Sequence, residues 1–329
     1  MSEHRSEERS ESSDERSREE RSIDPLILDA LQATGLSTAM VADVVDRALA
    51  EDLADGPDVT SVATIGADQQ GRAQVVPREA GVLAGVAVAG YVFAAVGQGR
   101  VRVQLLATDG SVVRPSQVLL SVSGPVRDLL TAERTALNLL THLSGVATLT
   151  RIWTDIIRGS GASIRDTRKT LPGLRALQKY AVRCGGGVNH RMSLSDAALV
   201  KDNHIAAAGS VGKAFELVRA AVPELPVEIE VDTVAQCEEA IEAGAELILL
   251  DNMNLAELRS CVALAAGTGG RVKLEASGGL SLQVAAAVAG TGVDYLAVGS
   301  LTHSAPVLDI GLDLAGPDAG VRPPVGADG

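Results

Sequence analysis

The stretch "DTRKTLPGLRALQKYAVRCGGGVNHR", residues 166–191, gathers Arg168, Lys169, Arg175, Lys179, Arg183, His190 and Arg191 around three successive glycines, in a chain of formal net charge -13. An acidic protein repels a polyanion such as nucleic acid over most of its surface, so this local cluster calls for a small anionic partner. Guanidinium forks match carboxylates bidentately, whereas an ammonium acts as a point charge. The chain has only five lysines, and one of them, Lys201, sits in the segment "LVKDNH". Where arginine is used so freely, a lysine there indicates that a compact charge is wanted. Lys179 and Lys213 fall on helical stretches and read as solvated. The segment "CGGGVNHR" reads as a flexible turn that folds the chain back over a ligand, delivering His190 and Arg191; a structural histidine beside a surface arginine is the plainer alternative.

These groups need elements to hold them. After residue 160, short apolar runs ("ASIRD", "AALVKD", "VEIEVD", "LILLD", "VKLEAS", "DYLAVGS") alternate with helical stretches such as "VAQCEEAIEAGA" and "NLAELRSCVALAAG". Alternation of this kind implies parallel βαβ units, and six strands predict an α/β barrel, with a doubly wound open sheet as the alternative. Each run ends in polar groups: Asp166, Lys201 and Asp202, Glu230 and Asp232, Asp251, Glu275 and Ser277, Gly299 and Ser300. In a barrel those positions line the C-terminal mouth. Period-2 alternation in "VEIEVD" puts Glu228, Glu230 and Asp232 on one face, and in "VKLEAS" it does the same for Lys273, Glu275 and Ser277. Burying such files of charge is costly unless they meet ions or ligands; edge strands with a solvated face would be the alternative. The loops "EASGGL" and "AVGSLTHS" follow the last two strands with glycines and hydroxyls, the make-up of a phosphate cradle.

The remainder of the chain frames this region. Residues 1–22 contain only Met, Ser, Glu, Asp, Arg and one His, which predicts a disordered polar tail. Helical spacing over residues 25–52 predicts two helices. Residues 59–126 have the texture of antiparallel strands and hairpins, "GRAQVVPREAG", "RVRVQLLATDGSVV" and "SQVLLSVSG". A long helix then follows, with an interruption near Ser144-Gly145. The expected domains are an N-terminal α/β sandwich with its connecting helix over 23–150, a barrel over 151–315 and a flexible tail over 316–329. No apolar run is long enough for a membrane span, the N-terminus lacks a secretory apolar core, and the three cysteines have no metal spacing, so a cytoplasmic protein is expected.

The segment "DTRKTLPGLRALQKYAVRCGGGVNHRMSLSDAALVKDNHI" resembles the core signature of the quinolinate phosphoribosyltransferases. The likeness continues through "ALAEDLADGPDVTS", "AERTALNLLTHLSGVAT", "VEIEVDTVAQCEEAIEAGAELILLDNM", "LEASGGL" and "LTHSAPVLDIGLDL", over residues 24–315 in order. Leu171 stands where a Thr is often found, and Ser116 replaces a turn Gly in "RPSQ". The resemblance implies a type II phosphoribosyltransferase fold, with a C-terminal α/β-barrel-like domain preceded by an α/β sandwich domain. It implies the joining of quinolinate to 5-phosphoribosyl-1-pyrophosphate (PRPP), with release of pyrophosphate and carbon dioxide, in NAD biosynthesis. By similarity, Arg134, Arg168, His190, Arg191 and Lys201 hold the dicarboxylate, and Lys169 and Lys201 face PRPP. Glu230 and Asp251 would meet the ribose hydroxyls and, through water, Mg2+; structural pairing with the same cations is the alternative. Lys169, Lys201, Glu230 and Asp251 form the catalytic set. The 5-phosphate would rest on Ser277, Gly278, Gly279 and Gly299, near His303. A homodimer or higher oligomer with a shared site is implied, with no nucleic acid or membrane partner. The competing readings are the family's paralogue linked to molybdenum utilisation, a sugar-phosphate aldolase or isomerase barrel, and a non-catalytic binding protein.

Overall fold

A computed structural model describes residues 23–315. The tails expected at 1–22 and 316–329 lie outside the described residues. The described residues divide into two compact units, one of residues 23–144 with 307–315 and one of residues 145–306. This differs from the expected boundary in two ways: the division falls at 144/145, and the last strand belongs to the first unit.

In the first unit, helices α1 (Pro25–Ala33) and α2 (Thr38–Asp52) form as their apolar spacing predicts, burying Ile27 and Leu31, then Val41, Val44 and Val45. Asp24 caps α1 by accepting from the Leu26 N–H at 2.9 Å, with Pro25 at the first helical position. A short helix, α3 (Val59–Thr64), precedes strand β1 (Gln70–Pro77). Strands β2 (Gly81–Val82) and β4 (Val112–Val113) pair as a small ribbon. The main sheet joins β1 to β3 (Arg102–Leu105), β5 (Leu120–Pro125) and β12 (Ile310–Leu314) in the order β12-β1-β5-β3, all antiparallel. Ala73 is opposite Val122 on one side and Leu314 on the other. That pairing is why residues 307–315 leave the barrel domain. Residues 86–97, inside the region read as strands, form helix α4 (Val86–Gly97) instead. The stretch is apolar all round and almost wholly buried, so no helical period is visible in it.

Helix α5 (Val126–Ile156) runs unbroken through Ser144-Gly145, against the expected interruption. Ser144 does not end the helix because its hydroxyl is used sideways: it accepts from the Ala84 N–H at 3.1 Å.

The second unit is built on six parallel strands: β6 (Ser163–Arg165), β7 (Ala198–Val200), β8 (Val227–Val231), β9 (Leu247–Asp251), β10 (Lys273–Ser277) and β11 (Tyr295–Ala297). Their order is β6-β11-β10-β9-β8-β7. From β7 to β11 each strand pairs with the next in sequence, and β6 joins β11 rather than β7, which is the winding of a barrel left open between β6 and β7; a doubly wound sheet would reverse direction part way. The intervening helices are α6 (Arg175–Cys184), α7 (Asp202–Ala208), α8 (Val211–Ala221), α9 (Val234–Glu242), α10 (Leu255–Ala266), α11 (Leu282–Ala289) and the single turn α12 (Ser300–His303). Beside β6, Val188 donates to the Ile164 carbonyl at 2.8 Å and accepts from Asp166 N–H at 3.2 Å, so residues 186–191 continue the wall at that edge.

The triple glycine serves this packing. A Cβ at Gly185 would lie 2.5 Å from the Ala147 carbonyl oxygen, and one at Gly187 would lie 2.8 Å from Val182 Cγ1 and 2.9 Å from Thr150 Cγ2. These glycines admit close approach to α5 and α6, which corrects the reading of a turn folded over ligand.

Candidate active site

Strand register decides which side chains share the barrel interior. Glu228 is level with Leu247, Glu230 with Leu249, Glu275 with Leu249 and Tyr295, and Ser277 with Asp251. Side chains level in a parallel sheet point the same way, so Glu228, Glu230, Asp251, Glu275 and Ser277 lie on one face. They form two tiers.

The deeper tier is a closed charge network that sequence reasoning did not resolve. Arg165, at the end of β6, pairs with Glu275, which is fully buried, and lies 3.8 Å from Glu228; its guanidinium also stacks on Tyr295 at 4.9 Å. Burial works against the Arg165 charge, but Glu275 and Glu228 outweigh it and hold its pKa up. Burial first, and the Glu228 charge second, raise the Glu275 carboxyl to about 8. His190 Nε2 donates to Glu228 at 2.8 Å, while His190 Nδ1 accepts from the Arg191 N–H at 2.7 Å. Both ring nitrogens are thus committed within the protein. A contact between His190 and a substrate carboxylate, as expected from the resemblance, would have to replace or share the one to Glu228.

His190, Glu228 and Glu275 bring three potential ligand atoms within 4.8 Å of one another. The Arg165 guanidinium already neutralises that cluster, so it does not suit a cation. A cavity of about 280 Å³ adjoins it, lined by Arg165, Asn189, His190, Arg191, Asp196 and Glu228 among others.

A second buried pair supports the tier. Lys179, expected on a solvated face, has no exposed side-chain area; it pairs with Asp166, equally buried, and donates to the His190 carbonyl at 2.8 Å. Burial raises the Asp166 pKa and lowers that of Lys179, and the contact between them opposes both shifts. Helical context misled here because α6 buries its Lys179 side against the strand ends. Lys213 stays exposed as expected, 3.8 Å from Glu216.

The outer tier holds most of the expected ligands. Lys201, just past β7, pairs with Glu230 of β8. Lys169 and His303 meet around Gly299: a Cβ there would lie 3.0 Å from Lys169 Cδ and 3.4 Å from His303 Nε2. Buried Gln178 ties that corner together, accepting from Leu171 N–H at 3.0 Å and donating to the Thr302 carbonyl at 2.6 Å. Thr302 in turn donates to the Lys169 carbonyl at 2.8 Å. At the neighbouring strand ends, Asn252 donates through its backbone to the Ser277 carbonyl at 2.9 Å and through its amide to Asp251 at 2.6 Å. Gly278 has φ +87° and Gly279 φ +59°, and a Cβ at Gly278 would collide with Asn252 Oδ1 at 2.2 Å. Bare backbone is obligatory in this turn.

Arg168 and Arg191 complete the site. Burial and the neighbouring Arg168 charge lower the Arg191 pKa. Arg191 donates to the Ala197 carbonyl at 2.9 Å, yet its Nε, like that of Arg168, is buried with no hydrogen-bond partner. Two adjacent guanidiniums with unmet donors repel each other unless an anion lies between them. Arg134 lies on α5 in the first unit, exposed.

The family model described as quinolinate phosphoribosyl transferase, N-terminal domain, matches residues 58–144, and its C-terminal counterpart matches residues 146–313. The chain is 56% identical over 273 residues to the nicotinate-nucleotide pyrophosphorylase (carboxylating) of Mycobacterium leprae (strain TN), covering 83% of this chain and 96% of that one. Among solved structures, NadC from Streptococcus pyogenes superposes with a TM-score of 0.80 at 41% identity, covering 85% of this chain and 99% of that chain. The nicotinate-nucleotide pyrophosphorylase of Francisella tularensis gives 0.81 at 36% identity, covering 85% and 98%.

Proposed function

Because the chain belongs to the quinolinate phosphoribosyltransferase family, we propose how its residues carry out that reaction: quinolinate and PRPP give nicotinate mononucleotide, pyrophosphate and carbon dioxide, a step of NAD biosynthesis. The observation that carries the assignment of roles is the pair of unmet guanidinium donors, Arg168 Nε and Arg191 Nε. Quinolinate is a pyridine with two adjacent carboxylates, and planar forks grip carboxylates bidentately. Lys201 is freed to reach the dicarboxylate when Glu230 turns to a ribose hydroxyl. Lys169, Gly299 and His303 form one side of the PRPP site, and the bare turn of Ser277, Gly278 and Gly279 forms the other.

The pyridine nitrogen, held at near-attack distance, bonds to C1 of the ribose as the C1–oxygen bond to pyrophosphate breaks and its electron pair leaves with the pyrophosphate. Lys169 and Lys201 stabilise the negative charge that develops there. The ring nitrogen is then cationic and stabilises the carbanion at C2 as the C2–carboxylate bond breaks to release carbon dioxide; a proton from water replaces it.

Glu230 and Asp251 are two carboxylates on one face at adjoining strand ends, which fits Mg2+ held partly by phosphate oxygens and water rather than by a protein cage. The ion would neutralise the pyrophosphate. The position of Arg134 outside the unit that holds the other ligands supports a homodimer in which the partner's α5 supplies it. Equal mixing of Arg134→Ala and Lys169→Ala subunits should then restore roughly a quarter of wild-type activity, because a two-fold interface repeats the same patch on both chains. The absence of a disulfide among Cys184, Cys237 and Cys261 fits a cytoplasmic location. Among the described residues no single helix is long and apolar enough to cross a membrane.

The two-carboxylate pocket is tested by competition. Phthalate should compete with quinolinate without reacting, and nicotinate should bind at least about tenfold more weakly, since one guanidinium loses its partner. Equal affinities for quinolinate and nicotinate would sink the assignment.

A further inference from the structure

The cationic pocket is made of two arms that electrostatics should drive apart. One arm, residues 167–169, leaves the end of β6 and carries Arg168 and Lys169; the other, residues 189–191, carries His190 and Arg191. Burial first, and the Arg168 charge second, lower the Arg191 pKa, so the two guanidiniums repel each other.

A single carboxylate belongs to both arms. Asp166 is the residue from which the first arm departs. Its Oδ1 accepts from the His190 N–H at 2.8 Å and from Lys179, and its Oδ2 accepts from Asn189 Nδ2 at 2.5 Å. Lys179 closes the circuit by donating to the His190 carbonyl at 2.8 Å, and Asn189 also donates to the Lys179 carbonyl at 2.8 Å. The N–H and C=O of His190 are therefore both held by one ion pair, and Asp166 and Lys179 are completely buried. Burying an ion pair seldom adds net stability over an apolar replacement, so its retention here needs another reason.

We infer that the Asp166–Lys179 pair is a positioning latch, which sets the separation of the Arg168 and Arg191 arms and thereby tunes the enzyme to its dicarboxylate. The latch touches neither substrate. It acts through the backbone of residues 189–191, and it rests on the substrate assignment made above.

The double variant Asp166→Asn/Lys179→Met tests it. No buried charge is left unpaired, so the variant should still fold, with a melting temperature lowered only by the hydrogen bonds it leaves unmet. The Lys179 donor to His190 is gone, however, and the Oδ2 acceptor has become a donor facing another donor on Asn189. The KM for quinolinate should rise at least about tenfold, the equivalent of one charge-assisted hydrogen bond, while the KM for PRPP and kcat at saturation stay within about threefold. Asn189→Ala leaves the buried pair intact, carries the same expectation, and decides the matter if the double variant is unstable. Wild-type kinetics in a folded variant would overturn the inference. Equal losses for both substrates would also overturn it, since they would mark a merely structural pair. Calorimetric binding of quinolinate to the wild type separates the two levels. No binding by the wild type overturns the substrate assignment and the latch with it, whereas equal binding by wild type and variant overturns the latch alone.

Discussion

His190 Nε2 lies 2.8 Å from Glu228 Oε2 and donates its proton there, because Nδ1 is occupied as the acceptor of the Arg191 N–H. The tautomer is fixed by the backbone on one side and a buried carboxylate on the other. In 15N spectra of histidine-labelled protein, the His190 ring should show an unprotonated Nδ1 and a protonated Nε2, and both signals should hold their positions when quinolinate is added. A proton on Nδ1, or a large ring shift on titration, would return His190 to direct contact with the substrate.

Glu275 gives the protein a pH dependence of definite sign. Unfolded, it ionises in the ordinary carboxylate range; folded, burial and the Glu228 charge hold it at about 8 against the opposing pull of Arg165. The folded state keeps a proton that the unfolded state releases. The stability this contributes is complete below the ordinary range and is lost as pH rises through about 8. Glu275→Gln fixes the neutral form, so its melting temperature should fall less than that of wild type between about pH 5.5 and 8.5. Parallel curves would show that Glu275 does not titrate in this way.

The three glycines should not respond alike to alanine. Gly185→Ala forces a Cβ to 2.5 Å from the Ala147 carbonyl, while at Gly186 the nearest atom is 3.7 Å away and only φ +92° opposes a side chain. Urea unfolding should show Gly185→Ala losing about 1–3 kcal/mol through overpacking, and Gly186→Ala about 1 kcal/mol through backbone strain. Equal costs would mean that close packing on α5 is not what the glycines provide.

What could be read from the sequence divides along physical lines. The six strands and their polar ends were legible because a barrel strand, covered by helices outside and by the interior on its other face, has a short apolar run with a definite stop, as in β9 and its Asp251. Ser116, in place of a turn glycine, proved to sit at φ +66° after Pro115, with Gln117 donating to Arg114 at 3.1 Å, the geometry of a type II turn. The α4 helix was hidden because a segment buried on all sides has no periodic face. Lys179 was hidden for a different reason: its partner Asp166 lies thirteen residues earlier, outside the helix, and nothing in a helical pattern distinguishes a buried lysine from a solvated one. The pairing of Glu228 and Glu275 with Arg165 and His190 likewise depends on strands that meet only in three dimensions. Both glutamates were placed on the right face, but their partners came from register.

The reaction itself provides the most direct test. Quinolinate labelled at the C2 carboxyl, incubated with PRPP and Mg2+, should yield nicotinate mononucleotide, pyrophosphate and labelled carbon dioxide in equal amounts. Replacing quinolinate by nicotinate should yield no nucleotide. Absence of nucleotide from quinolinate, or nucleotide formed without loss of the labelled carboxyl, would contradict the account.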